Sequence, residues 1–164
     1  MSVNREKPHL WAIPEDKANA QILNGFLMHY SVNFRAIGIN PVAGGWGRVL
    51  DIFEEEYVQY LRNYPASHVV MLIDFDEKGE ARRSRCEQRI PNDLKPRTFL
   101  LGTSDAPEDL KKALNLTFEQ IGEALAQDCS RDDLGHWGHP HLAHNLSELQ
   151  RMLPTLKPII LQGS

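Results

Sequence analysis

The uninterrupted apolar run Val69–Ile73 constrains the fold of this chain more than any other segment. A strand with one face in water alternates apolar and polar residues, whereas a strand covered on both faces is apolar throughout. Pro65 precedes the run and charged residues follow it, so its length is that of a strand. The run therefore predicts a central strand of a parallel sheet that is covered on both faces.

Other apolar segments predict the neighbours of this strand and the helices that connect them. Further strands are predicted at His9–Ile13, Phe34–Ile39 and Thr98–Leu101, with a short edge strand at Pro158–Leu161. Apolar residues recurring at spacings of three and four are typical of helices that pack against a core. Such helices are predicted from after Glu15 and Asp16 to Tyr30, and at Trp46–Leu61, Glu80–Arg89, Pro107–Leu114, Phe118–Cys129 and Leu146–Leu156.

The alternation of strands and helices predicts an α/β fold with right-handed crossovers. We expect a three-layer, Rossmann-like parallel sheet of about four strands in the order 2-1-3-4, flanked by helices, with extra helices at the C-terminus. The chain shows no internal repeat, low-complexity stretch or linker. A single domain over residues 1–164 is therefore expected, with a core at 9–110 and a helical extension at 111–164.

Charge and composition limit the kinds of function to consider. The formal net charge of −4 in 164 residues argues against a protein that binds nucleic acid tightly by neutralising phosphates alone. It is compatible with carboxylates that hold a divalent cation facing a phosphate. No apolar window of membrane-spanning length and no signal-peptide core is seen, and Cys86 and Cys129 form no metal-type pair, so a cytoplasmic location is expected.

Carboxylates follow two of the predicted strands. Asp74 and Asp76 come directly after the run at Val69–Ile73, and Glu15 follows the first strand. In open α/β sheets the carboxyl ends of the strands face the functional crevice. Acids that are brought together there repel one another unless a cation neutralises them or one keeps its proton. The sequence therefore predicts a Mg²⁺ or Mn²⁺ site formed by Glu15, Asp74 and Asp76.

Further acids lie close to the same predicted edge. Asp16 follows Glu15, and Asp105 and Glu108 lie just past the fourth strand, as additional ligands or water-positioning groups. Each acid also has a plain structural interpretation, because loops are polar and aspartate caps helices. Three acidic positions after three different strands nevertheless favour a site over a set of unrelated caps.

The segment Asp74–Glu80 resembles the D-x-D-x-x-G-E motif of Toprim domains, which occur in topoisomerases, bacterial primases and OLD-type nucleases. Glu15 matches the glutamate that follows the first strand in that family, and its pairing with Asp16 is closest to the nuclease branch. Gly44–Gly45 suits the glycine-bearing loop after the second strand. Pro14 precedes the glutamate and no glycine follows it, so the first motif is present in part. The resemblance covers about residues 9–110.

The resemblance implies Mg²⁺-dependent phosphodiester chemistry on DNA or RNA, and hydrolysis is the reaction expected of a chain without partner domains. Glu15, Asp74 and Asp76 would hold the metal, and Lys78, Arg82 or Arg83 would stabilise the developing phosphate charge. Binding of nucleic acid is expected to be weak or assisted by a partner.

Two other functions stay open. One is a non-catalytic Toprim-like module that serves as the partner of another protein, such as an ATPase. The other is a phosphatase of the haloacid-dehalogenase type, because Leu72–Asp76 resembles the nucleophile motif of that family. That motif belongs on a first strand and carries threonine or valine where this chain has Lys78, so the phosphatase is the less favoured alternative.

Two further motifs favour structural interpretations. Residues His136–His144 hold four histidines, but no known zinc spacing is completed and Pro140 divides the group. A loop packed by Trp137 is therefore favoured over a zinc site. Gly44–Gly47 precedes a helix but lacks the lysine and hydroxyl of a Walker motif, so a tight turn is expected.

Overall fold

A computed structural model describes residues 3–76 and 78–162, so Glu77 of the D-x-D segment lies outside the described residues. Four parallel strands form one sheet in the order β2-β1-β3-β4. The strands are β1 (His9–Pro14), β2 (Ile37–Ile39), β3 (Ser67–Leu72) and β4 (Thr98–Leu101). The predicted α/β class, parallel direction and strand order are confirmed.

Helices connect the strands and extend the chain beyond β4. They are α1 (Lys17–Met28), α2 (Trp46–Ile52), α3 (Val58–Asn63), α4 (Gly79–Gln88), α5 (Pro107–Leu114), α6 (Phe118–Arg131) and α7 (Leu146–Ile160). None of the described helices is long and apolar enough to cross a membrane.

The two faces of the sheet are covered by different sets of helices. Val70 and Phe99 belong to a buried cluster that includes residues of α5, α6 and α7, with α1 packed against it. Val69 and Met71 belong to a second cluster with residues of α2, α3 and α4. Successive residues of β3 therefore face opposite layers, both of them apolar, which is why its sequence does not alternate.

Three predicted elements differ from the structure. Phe34–Ala36 forms a 3-10 turn, and β2 is limited to the three residues that pair with β1. Pro158–Leu161 is not an edge strand: α7 runs through Ile160, which is buried with Leu156, and only Leu161 forms an isolated bridge, to Val32. The apolar spacing of α7 thus outweighs the missing amide of its prolines.

The third difference lies in the predicted helix Trp46–Leu61. A π-helical segment at Phe53–Tyr57 joins α2 to α3. Phe53 and Tyr57, at the two ends of this wider turn, are buried, as is Leu61 in α3. The Tyr57 hydroxyl donates to Oδ1 of Asn40 at 2.8 Å. The intervening glutamates are exposed, as a solvated face requires.

Helices α1 and α6 cross at two glycines. A Cβ atom added to Gly25 would overlap the carbonyl oxygen of Glu119, and one added to Gly122 would overlap the carbonyl oxygen of Ile22. Only residues without a side chain let the two backbones approach this closely. The crossing fixes α1, whose first turn lies beside the carboxyl end of β1, against the C-terminal half of the chain.

Candidate metal centre

The candidate site lies where the neighbouring strands β1 and β3 end. Pro14 and Leu72 are the last paired residues, and the next amide, that of Glu15, donates to the Leu72 carbonyl at 2.9 Å. The backbone N–H of Asp74 then donates to Oε1 of Glu15, also at 2.9 Å. The Glu15 carboxylate therefore continues the pairing of the two strands with a side chain.

The first turn of α1 contributes a second pair of side chains to this edge. Asp16 is the N-cap of α1, and its Oδ1 accepts the backbone N–H of Asn19 at 2.9 Å. The side-chain amide of Asn19 donates to Oδ1 of Asp74 at 3.1 Å. Asn19 and Asp74 are both buried, so a hydrogen-bonded pair joins α1 to the segment after β3.

Three carboxylates meet here. Glu15, Asp16 and Asp74 each offer an oxygen atom, and these atoms all lie within 4.8 Å of one another. Burial raises the pKa of Asp74 to about 8, and its hydrogen bond to Asp16 and the negative charges of Asp16 and Glu15 act in the same direction. Burial also raises the pKa of Glu15. At neutral pH the cluster therefore retains a proton unless a cation compensates its charge.

The chemistry of the donors fits a hard divalent cation. All three ligand atoms are carboxylate oxygens, which Mg²⁺ and Mn²⁺ prefer over the softer donors that select zinc or copper. The hydrogen bonds from the Asp74 amide and from Asn19 orient two of the three carboxylates in advance. Partners of this kind fix ligand geometry in metal sites. The described residues therefore contain a cluster that could bind a metal ion.

Asp76 lies outside this group of three in the structure. Its backbone is left-handed, with φ at +48°, and its exposed carboxylate accepts a hydrogen bond from Nη1 of Arg82 at 3.1 Å. Since β3 ends at Leu72, the alternation of side chains along a strand does not extend to Asp76. Asp16, which the sequence suggested as an additional acid, occupies the third corner instead.

Basic side chains border the cluster on the α4 side. Nη1 of Arg82 donates to the Asp74 carbonyl at 2.7 Å as well as to Asp76, and its guanidinium lies 4.7 Å from the ring centre of Trp46. Only 12% of the Arg82 side chain is exposed. The side chain is therefore held against the start of α2. Lys78 directly precedes α4 and is exposed.

The acids that follow β4 are directed to other partners. Asp105 pairs through Oδ2 with Nδ1 of His141 at 2.8 Å, and Glu108 is exposed in the first turn of α5. The backbone of this loop is nonetheless close to β3, because the Phe75 amide donates to the Thr103 carbonyl at 3.0 Å. The Asp105–His141 pair thus lies at the same end of the sheet without joining the three carboxylates.

The histidine segment folds as a loop packed by Trp137, as expected. Asp128 on α6 is buried and accepts the backbone N–H groups of His136 and Trp137, at 2.6 and 3.2 Å. The Trp137 indole N–H donates to the Leu125 carbonyl at 3.2 Å. Within residues 3–76 and 78–162, the histidines belong to no group of three metal-type ligands.

Asn19 was not identified from the sequence. Its signal was a polar residue three positions after the N-cap, on the stripe that continues with Ile22, Leu23 and Phe26. A polar residue in such a stripe is buried on folding and requires a partner, which Asp74 supplies.

Comparison with protein-family models, curated proteins and solved structures finds no match for this chain. The likeness of Asp74–Glu80 to the Toprim segment therefore stays a prediction made from the residues themselves. The geometry of Glu15, Asp16 and Asp74 is the part of the molecule that bears on function.

Proposed function

We propose that this protein hydrolyses phosphodiester bonds in nucleic acid with a divalent cation, Mg²⁺ or Mn²⁺, held by Glu15, Asp16 and Asp74. The observation that carries the proposal is the meeting of these carboxylates where two neighbouring parallel strands end. Carboxylates at such an edge lie where α/β proteins bind their substrates. The resemblance of Asp74–Glu80 to the Toprim motif supports the choice of reaction and the choice of metal.

Each side chain has a defined part in this proposal. Glu15 and Asp74 would hold the cation from the segments that follow two adjacent strands, and Asp16 would hold it from the start of α1. A bound divalent cation polarises the phosphate and lowers the pKa of a water molecule near it. Asn19 keeps Asp74 oriented through its amide.

The phosphate group itself requires positive charge from the chain. Arg82 lies beside the cluster, already fixed by Asp76, by the Asp74 carbonyl and by the Trp46 ring. A guanidinium fixed before the reaction stabilises charge in the transition state without the cost of ordering it. The exposed Lys78, which precedes α4, supplies a second positive charge for the phosphate backbone. The acidic net charge makes this binding weak unless a partner adds contacts.

The test is an assay of Mn²⁺-dependent cleavage of plasmid DNA, single-stranded RNA and bis(p-nitrophenyl) phosphate. Wild-type protein is expected to cleave at least one of them, and Asp74→Asn and Asp16→Asn to lose the activity without a fall in the thermal unfolding midpoint. Asp109→Asn, an exposed acid on α5, is the matched control and should retain full activity. If the wild type cleaves none of the three substrates in the presence of Mn²⁺, the proposal is contradicted.

Two further measurements separate the alternatives. A phosphatase turns over the monoester p-nitrophenyl phosphate faster than the diester. A non-catalytic partner module turns over neither, and it is recovered in a stable complex with another protein.

A further inference from the structure

A cavity of about 110 Å³ lies between one face of the sheet and the helices that cover it. Its wall is made almost wholly of apolar side chains from the strands and from α1, α6 and α7. Each of these elements contributes to the wall, for example through Val70, Leu101, Ile22, Leu125 and Leu149. The volume is comparable to that of an engineered apolar cavity, of about 150 Å³, that takes up benzene. The size is thus sufficient for a small organic molecule.

The polar groups in the wall are already bonded within the protein. Asn19 donates to Asp74, and Asn145 exchanges two hydrogen bonds with Gly102, at 3.1 and 2.8 Å. The Thr103 hydroxyl donates to the Asp105 carbonyl at 2.5 Å. A water molecule in a cavity needs two to four polar partners, whereas the surface of this wall is almost wholly apolar. The chemistry of the wall therefore favours an apolar occupant over water.

The cavity is reached along α1. Ile22, Leu23 and Phe26 line it but are only half-buried, whereas Leu10, Val70 and Leu101 of the strands are buried. At its other end are Asn19 and Thr103, beside the carboxyl edge of the sheet. A molecule that enters between α1 and the sheet therefore contacts apolar carbon over most of its surface.

We propose that this cavity is a binding site for a small, uncharged, apolar molecule of about the size of a benzene ring. The site is separate from the carboxylates and does not depend on the function proposed for them. Affinity comes from apolar surface removed from water on both sides. Selectivity against polar molecules comes from the almost wholly apolar wall, because a polar atom placed against it loses its hydrogen bonds to water.

Benzene and pyridine are the matched probes, since they have the same shape and differ in one ring nitrogen. At pH 8, where pyridine is neutral, benzene is expected to shift the NMR methyl signals of Ile22, Leu125 and Leu149 saturably and to bind at least about tenfold more tightly than pyridine. At ten times its Kd, benzene should raise the thermal unfolding midpoint by about 3 °C or more. Equal binding of the two probes, or no saturable shift at these methyls, overturns the proposal.

Val70→Ile and Val69→Ile locate the site. The two valines are adjacent on β3 and face opposite clusters, so each substitution adds the same methyl group on a different side of the sheet. Val70→Ile takes up part of the cavity and should weaken benzene binding about tenfold without loss of stability. Val69→Ile should leave benzene binding unchanged. The same benzene affinity in both variants places the molecule elsewhere and contradicts the proposal.

Discussion

The backbone N–H of Asp74 donates a 2.9 Å hydrogen bond to the carboxylate of Glu15, across the boundary between β3 and β1. This bond links two residues that are 59 positions apart in the chain. It orients the Glu15 carboxylate with a backbone group, which loses no side-chain entropy on forming the bond. The edge of the sheet thus fixes one candidate ligand by means of the backbone of another.

The raised pKa of Asp74 predicts how stability depends on pH in metal-free protein. Since its pKa is about 8 in the folded state and 3.8 in a model peptide, the folded state holds a proton that the unfolded state has lost between these values. The stability contributed by this group is present below pH 4 and is lost as the pH rises to about 8. Asp74→Asn removes this dependence, since an amide does not ionise and can donate to Asp16. Its unfolding midpoint should exceed that of the wild type by an amount that grows by several degrees from pH 4 to pH 8.

The comparison of the two proteins across the pH range reports on Asp74 and the two acids that interact with it, because the other titrating groups are common to both. The experiment is thermal unfolding in the presence of a chelator. A constant difference between variant and wild type over this pH range contradicts the raised pKa.

Metal binding should release protons. A cation displaces the proton that Asp74 retains at neutral pH, so affinity for Mn²⁺ should rise with pH, by up to about tenfold per unit, and level off above about pH 8. Isothermal titration calorimetry in buffers of different ionisation enthalpy measures the number of protons released. About one proton is expected at pH 7, and none from Asp74→Asn. Binding without proton release means that Asp74 is not a ligand.

Asp16→Asn and Asp76→Asn distinguish the ligand set seen in the structure from the one expected from the D-x-D motif. Asparagine is as good an N-cap as aspartate and tolerates the left-handed backbone of Asp76, so both variants should fold normally. Asp16→Asn should weaken Mn²⁺ binding at least about tenfold, whereas Asp76→Asn, which loses one exposed ion pair, should change it less than about threefold. Mn²⁺ titration followed by electron paramagnetic resonance makes the comparison. If Asp76→Asn weakens Mn²⁺ binding more than Asp16→Asn does, Asp76 is a metal ligand and Asp16 is not.

Asn19→Ala should destabilise the protein by about 1–3 kcal/mol, because it leaves the buried carboxyl of Asp74 without its amide donor. Asn24→Ala on the same helix is the control, since Asn24 is exposed and alanine favours the helix. Urea unfolding measures both free energies. Equal stability of the two variants would mean that the Asn19–Asp74 bond contributes nothing.

Gly25→Ala should be the most damaging of these substitutions. Its Cβ would overlap the backbone of Glu119, which cannot move without separating α1 from α6, so a loss of about 3 kcal/mol or more is expected. Gly47→Ala is the matched control, because Gly47 is also helical and its added Cβ meets nothing within 4 Å. That variant should be as stable as the wild type or more so. Chemical unfolding of the pair tests whether close approach, and not helix propensity alone, decides the outcome.

The pattern of apolar residues was enough to predict the sheet and most of its helices. Continuous apolarity at Val69–Ile73 indicated a strand covered on both faces, and β3 is buried along most of its length. The shortening of the predicted strand Phe34–Ile39 could not be predicted, because apolarity does not show how many residues of an edge strand pair with its neighbour; only Ile37–Ile39 pair with β1. The π-helical segment at Phe53–Tyr57 was likewise hidden, since apolar spacing barely distinguishes it from an α-helix.

The candidate site was predictable as to its location and less so as to its members. Glu15 and Asp74 follow from the rule that parallel strands end at a common edge. The choice between Asp16 and Asp76 depends on backbone geometry after a strand has ended, where alternation no longer applies. Asn19 depends on how α1 packs against β3, which is a long-range contact that no local pattern records.

The placement of β3 beside β1, with β2 on the outer side, also orders events in time. During synthesis Glu15 and Asp16 leave the ribosome 59 and 58 residues ahead of Asp74. At about 5–20 residues per second this separation corresponds to roughly 3–12 s. Throughout that interval α1 can form and β2 can emerge, yet the two acids have no third partner. The complete set of three carboxylates therefore exists only after Asp74 has been synthesised, and a cation can bind to it only from that point.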